Sequence, residues 1–268
     1  DFAADLGVSR RVLDEGTCVF PQMSTYRDIN VALSVALGAD LSKSRLSKSP
    51  HQTATRSALY GHYVDQTLKH VSSASGQSVD TLRGLIRKSV EKAKPNAYTR
   101  DVAFNDSGCV ALLTEAGVEA GVEVCTELFS SRLFKKSGED GTWRFSNQSV
   151  MDYFLAEWMN RSLSVDGVVQ CERVTEMWRL FESNEVAGFL VGMDNGGKCL
   201  PDVFMQLCVN GANFGDTLNL MDQGLSPGLN RVGILSDVRE RAKDKLSNRC
   251  FNRLTTGLKP GAQQSRGL

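Results

Sequence analysis

Apolar positions recur at helical spacing through most of this chain, and the polar gaps between them set out a series of elements. Val31-Ala32-Leu33-Ser34-Val35-Ala36-Leu37, followed by Gly38, is Ala-rich and unbroken, so residues 25–40 are expected to hold a buried helix. Leu41 to Thr55 is rich in Ser and Lys, contains Pro50, and reads as a loop. The clearest stripe follows: Leu59, Tyr60, Tyr63, Val64, Thr67, Leu68 and Val71 share one face at a 3.6-residue period. Ser72 to Gln77 interrupts it with polar residues. Ser78 then offers a hydroxyl cap to a helix that turns Val79, Leu82, Leu85, Ile86 and Val90 inward and stops before Pro95.

Residues 118–133 predict another amphipathic helix through Val122, Cys125, Leu128 and Phe129. Leu133–Lys136 and Thr142–Phe145 are short apolar-aromatic runs on either side of Ser137-Gly138-Glu139-Asp140-Gly141, which predicts a β-hairpin. Ser149-Val150-Met151-Asp152 has the spacing of a capping box, in which the hydroxyl accepts from the backbone three residues on. The helix it opens carries Val150, Phe154 and Trp158 on one face, with Met151, Leu155 and Met159 beside them. Residues 172–191 read as helical, 209–235 as irregular, and Ser236 caps a last helix through Val238, Ala242, Leu246, Phe251 and Leu254, ended by Gly257. The expected fold is mainly α. A helical bundle (1–75) precedes a winged-helix domain with a short β-hairpin (76–163), and a helical C-terminal region (164–268) follows.

Composition narrows the class of protein. Hydrophobic residues make up 41% and charged residues 23%, enough to build a core and too apolar for a disordered chain. Lys+Arg and Asp+Glu each number 31, so no net charge draws the chain to nucleic acid or an anionic membrane. The longest apolar runs are too short to span a bilayer, and no secretory signal is read. The opening residue is Asp1, which suits a fragment or processed product. The seven cysteines (18, 109, 125, 171, 199, 208 and 250) are scattered and stand apart from His51, His62 and His70. Zinc spacing is absent, and the expectation is reduced, buried thiols in a cytoplasmic protein.

The string TWRFSNQSVMDYFLAEWM adds a resemblance. It is similar to the NACHT-family signature in which a hairpin strand runs into F-x-H-x-S-F-Q-E, an aromatic pair and A-A. Phe145, Ser149, Tyr153, Phe154 and Ala156 match, while Val150, Met151 and Asp152 stand for the family's Phe, Gln and Glu. Upstream, INVALSVAL resembles the helical-domain segment N-P-L-L-L-T-L-L, with Val31 in place of the Pro. ATRSALYGHYVDQTL resembles the helix P-x-T-R-x-x-L-Y-x-x-Y, and EMWRLFESNEVAGFLVGM the stretch that often follows the winged helix. Together these cover residues 25–192 in the family's order.

The resemblance implies a STAND-class, NACHT-like signalling NTPase of which this chain holds the helical and winged-helix portion. Members of that family switch between closed and open states as ADP is exchanged for ATP, and the open state oligomerises. The implied partners are a P-loop domain upstream in the same chain and, on activation, further copies of the protein. The implied setting is defence-type signalling in the cytoplasm. ATP or ADP with Mg would be bound by the parent protein, and no cofactor, metal or catalytic residue is expected within this portion. The family's phosphate-sensing His falls at Asn147, whose amide still donates to a phosphate oxygen but is shorter and uncharged.

Two other readings are open from the residues. Gly192-Met193-Asp194-Asn195-Gly196-Gly197-Lys198-Cys199 approaches the phosphate loop G-x4-G-K-S/T, with Cys199 where the magnesium-binding hydroxyl belongs. Val232 to Asp237 would be its Walker-B-like partner, interrupted by Gly233. A DNA-binding winged helix would use Lys135, Lys136 and Arg144 on the wing, but its candidate recognition helix carries Glu119, Glu123 and Glu127, which repel phosphates. The basic residues of the last helix (Arg239, Arg241, Lys243, Lys245, Arg249 and Arg253) read as a solvated face, and His62, His70 and Glu139-Asp140 as surface or loop residues.

Overall fold

The stripe from Leu59 to Val71 forms α1, Arg56–Ser75, in the computed structural model, which describes residues 56–93, 103–118, 121–137, 142–178 and 184–209. Leu59, Tyr60, Val64, Leu68 and Val71 are buried along it. The polar Ser72 to Ser75 continue the helix, and the chain turns out only at Gly76, whose φ of 72° is left-handed and free of strain for glycine. Ser78 caps the next helix as expected: its Oγ accepts from the Thr81 N–H at 3.0 Å. That helix, α2, spans Val79–Ala93 and buries Leu82, Leu85, Ile86 and Val90.

Residues 103–145 hold more elements than periodicity suggested. β1 is Ala103–Phe104, and α3 follows over Asp106–Glu115, capped by Asn105, whose Oδ1 accepts from the Gly108 N–H at 2.7 Å. α4 spans Gly121–Phe129 and buries Val124, Cys125, Leu128 and Phe129. The hairpin forms where it was expected, as β2, Phe134–Ser137, and β3, Thr142–Phe145. β3 pairs antiparallel with β2 (Phe134 opposite Phe145) and with β1 (Phe104 opposite Trp143), so the strand order is β1-β3-β2. Phe104, Phe134 and Phe145 meet with ring centroids 5.0–5.3 Å apart beneath the sheet. Trp143 stacks on Phe129 at 5.4 Å and so ties the sheet to α4.

α5, Gln148–Ser162, is the axis of the fold. Every residue from Ser149 to Glu157 is buried, because α2, α7 and the sheet close around it. β4, Ser164–Val165, and β5, Val168–Val169, make a second hairpin through Asp166 and Gly167, both at positive φ. An Asp-Gly pair is the usual two-residue hairpin turn. α6 (Arg173–Trp178), α7 (Asn184–Val191), α8 (Asp194–Lys198) and α9 (Leu200–Val209) complete the described chain. Phe189 of α7 packs edge-on against Tyr60 of α1 at 4.8 Å, and the Phe189 carbonyl accepts from the Ser57 hydroxyl. The structure is therefore mostly helical with a small antiparallel sheet, built on one apolar core running from Leu59 to Phe204. Among the described residues, no helix is long and apolar enough to cross a membrane.

Two expectations are corrected. Ser149 is not the cap of α5: the helix begins at Gln148, and Asn147 caps it by accepting from the Val150 N–H at 2.9 Å. Asp152 accepts from the side chain of Gln148, the first residue of the helix, through Nε2 at 3.0 Å. Four of the cysteines are not free thiols either. Cys109 bonds to Cys125, with Cα atoms 6.0 Å apart, and Cys171 to Cys199, at 5.1 Å. Scattered positions in the sequence become neighbours when α3 folds on α4 and α9 on α6. The helix expected over residues 25–40, the loop over 41–55, the Glu139-Asp140 turn, Glu119, the Val232–Asp237 segment and the helix from Ser236 lie outside the described residues.

Candidate functional site

Asn147 stands at the junction of β3 and α5, one residue beyond the Ser146 N–H that donates to the Leu133 carbonyl at 2.8 Å. Its backbone is extended (φ −150°, ψ 160°), the conformation an N-cap requires. The amide oxygen is held by the cap bond to Val150, which fixes the side chain's orientation. What the residue can offer an anion is the amide NH2 at the positive end of a 15-residue helix. Asn147 is half-buried, so its side chain is placed by the fold and still reaches solvent.

Further along α5, a charged cluster joins three helices. Arg87 of α2 donates from Nη2 to Glu157 Oε1 at 2.6 Å, and Arg83 Nε lies 3.6 Å from the same oxygen. Arg83 Nη1 reaches Asp65 of α1 at 3.3 Å, and its Nη2 donates to the Tyr153 hydroxyl at 3.4 Å. Burial, reinforced by Glu157 and opposed by Arg83, raises the Tyr153 phenol far above its ordinary range, so it stays protonated. Of these residues only Tyr153 was singled out in the sequence, as part of the family signature, and not for this cluster. The signal was present in spacing: Arg83 and Arg87 are four apart on one helix face, as are Tyr153 and Glu157 on another.

The segment 192–199 does not form a phosphate loop. A phosphate loop leaves its backbone N–H groups open to the ligand. Here the N–H groups of Asn195 and Gly196 both donate to Asn160 Oδ1 at 2.9 Å, and Asn195 Nδ2 donates to the Asn160 carbonyl. The glycine the fold requires is Gly196 and not the motif's Gly197. A Cβ on residue 196 would lie 2.0 Å from the Leu190 carbonyl oxygen, whereas one on Gly197 comes no nearer than 3.3 Å to the Val191 carbonyl. Cys199, at the magnesium-ligand position, is bonded to Cys171. The motif is a compact turn pinned to α5.

The wing lysines Lys135 and Lys136 are exposed on β2, with Lys136 Nζ 5.9 Å from the Trp143 ring centre. On α4, Glu123 and Glu127 are exposed. That face is acidic and would repel a nucleic-acid backbone. His62 is half-buried beside Gln66, at 3.3 Å, and burial lowers its pKa, with Asp65 opposing the shift and Lys69 adding to it. His70 is exposed eight residues further along α1. A cleft of about 490 Å³ opens between α3 and α4, lined by Asp106, Val110, Val122 and Cys125 among others. Among the described residues, no cluster of three or more His, Cys, Asp or Glu side chains is arranged to hold a metal ion. The chain matches no protein-family model, no curated protein and no solved structure.

Proposed function

We propose that this chain is the regulatory portion of a STAND-class, NACHT-like nucleotide switch, in which a helical segment and a winged helix respond to nucleotide held by a P-loop domain upstream. The observation that carries the reading is the junction at Asn147. The order helix–strand–helix–helix–strand–strand over α2-β1-α3-α4-β2-β3, with β3 central, supports the winged-helix reading, and Asn147 follows the last of these strands. There the family resemblance puts the residue that senses phosphate.

The geometry gives that residue a way to act at a distance. Asn147 caps the start of α5, and Glu157, two-thirds of the way along it, holds Arg83 and Arg87 of α2. The stretch of helix between them spans about 15 Å, so a pull on Asn147 would displace the charged cluster that binds α5 to α1 and α2. Oligomerisation of the open state and a role in defence-type signalling belong to the same proposal, as does a cytoplasmic setting. In that setting cystines are rare and usually transient or redox-sensing, so the two disulfides become a point of regulation to explain. An acidic α4 favours this reading over DNA binding.

The test is direct. The coding sequence before Asp1 should contain a G-x4-G-K-S/T loop roughly 150–250 residues upstream, one domain's length. Full-length protein should bind ADP, and Asn147→Ala should weaken that binding more than it weakens ATP binding. An upstream sequence without the loop would overturn the reading, as would nucleotide affinities that Asn147→Ala leaves unchanged.

A further inference from the structure

The two disulfides among the described residues differ in how they can be reached. Cys109 and Cys125 are both buried, at 5% and 1% exposure, inside the pairing of α3 with α4. Cys199 is fully buried, but its partner Cys171 is only half-buried, in the turn between β5 and α6. Thiol–disulfide exchange needs an attacking thiolate to reach one sulfur in line with the bond, while the other sulfur leaves as a thiolate. Burial restricts access to both residues of the first pair, although Cys125 lines the cleft between α3 and α4. In the second pair it shields only Cys199, so attack is directed at Cys171.

Cys199 closes α8 and immediately precedes α9, and its carbonyl accepts from the N–H groups of Asp202 and Val203, both at 3.0 Å. It is fully buried, so the sulfur released there takes up a proton rather than staying a thiolate.

We propose that Cys171 is a site of reversible thiol modification, with Cys171–Cys199 an exchangeable disulfide and Cys109–Cys125 an inert one. An incoming thiolate attacks Cys171 Sγ. The Cys171–Cys199 bond breaks, a mixed disulfide forms on Cys171, and Cys199 departs as a thiolate that takes up a proton. With a dithiol reagent, its second thiol then attacks the mixed disulfide and leaves as a cyclic disulfide. Two electrons pass to the protein, and both cysteines become thiols.

Opening has a defined structural consequence. α9 is tied to the α6 region by this bond and by Gln206 Nε2 donating to the Thr175 hydroxyl at 2.7 Å, and it seats Leu200, Val203 and Phe204 in the core, while α8 stays pinned to α5 through Asn160. Exchange at Cys171 would therefore remove the covalent tie and loosen α9 against α6, and leave the wing and α5 in place. Thiol exchange at Cys171 does not require that the chain bind nucleotide.

The experiment uses the unmodified chain under native conditions. Free thiols are first blocked with iodoacetamide. The protein is then exposed to dithiothreitol for timed intervals, labelled with a second alkylating reagent, and mapped by peptide mass spectrometry. Cys171 and Cys199 should take the second label at least about tenfold faster than Cys109 and Cys125, the difference set by local rather than global opening. Cysteamine in place of the dithiol should leave its adduct on Cys171 and not on Cys199. Backbone amides of 200–206 should exchange faster once the bond is open, while those of 150–158 should not. Equal rates for the two pairs, adducts on Cys199, or protection of both pairs until the protein is denatured would each overturn the proposal. So would opening with no change in amide exchange in α9.

Discussion

Arg87 and Glu157, 70 residues apart in the chain, meet with Nη2 and Oε1 separated by 2.6 Å. Glu157 has only 10% of its side chain exposed and Arg87 only 23%, so the pair is held largely out of water with Arg83 beside it. Desolvation makes such a pair costly to break by halves. Glu157→Ala should leave two arginines facing each other and lower unfolding stability by roughly 3 kcal/mol, the scale for removing one partner of a buried pair. Urea unfolding of the variant checks this. Replacing all three charges with apolar residues of similar volume should restore much of the loss.

Asn147 should reveal itself as a cap before it reveals anything about nucleotide. Asn147→Ala removes the acceptor for the Val150 N–H and should cost about 1 kcal/mol. Asn147→Asp keeps that acceptor and should be nearly neutral in stability. Ser149→Ala should not reproduce the loss of a cap, because Ser149 lies inside the helix. Thermal melts of the three variants separate the two assignments.

Asn160 and Gly196 should matter more than the motif residues around them. Asn160→Ala strips the acceptor from the Asn195 and Gly196 N–H groups and should cost about 2–3 kcal/mol. Gly196→Ala should be worse, since its methyl would run into the Leu190 carbonyl, whereas Gly197→Ala should be milder. Lys198→Ala should change stability little, Lys198 being exposed. Denaturant midpoints across the four variants give the ranking.

Acid should weaken the fold through His62. Its folded-state pKa lies below the ordinary value of 6.5, chiefly through burial, so the unfolded chain binds the proton more readily. Stability is then full above that ordinary value and falls as the pH drops from it toward the folded-state pKa. His62→Gln should flatten this part of the stability–pH curve, measured by urea unfolding between pH 7.5 and 5 (pH values on the order of the imidazole range).

Removing the buried cystine should be expensive. Cys109–Cys125 closes a loop with a sequence separation of 16, for which the chain-entropy estimate is about 3 kcal/mol. The double variant Cys109→Ser/Cys125→Ser should lose stability on that scale, measured by chemical denaturation in the absence of reductant.

Much of the secondary structure was legible in the chain. α1, α2 and α5 carry enough apolar residues at 3.6-residue spacing to declare their buried faces, and the Phe134–Phe145 hairpin is bracketed by a turn rich in Gly and charge. β1 and α3 were missed because a two-residue strand has no period and α3 shows only a short apolar run. The β4–β5 hairpin was missed although Asp166-Gly167 between valines is a hairpin signal.

Local pattern is governed by what a residue's near neighbours in sequence can do, and there the sequence alone decided which faces of α1, α2 and α5 are apolar and that a β-hairpin follows α4. Pairing across distance is decided only when those faces pack. Nothing in the spacing of 109, 125, 171 and 199 joins those cysteines, and only the docking of α3 on α4 and α9 on α6 brings the sulfurs together. The same holds for Asn160, which turned a near-phosphate loop into a pinned turn by taking its N–H groups from 35 residues away. A motif fixes which atoms are available, and the tertiary structure fixes which of them are already bound.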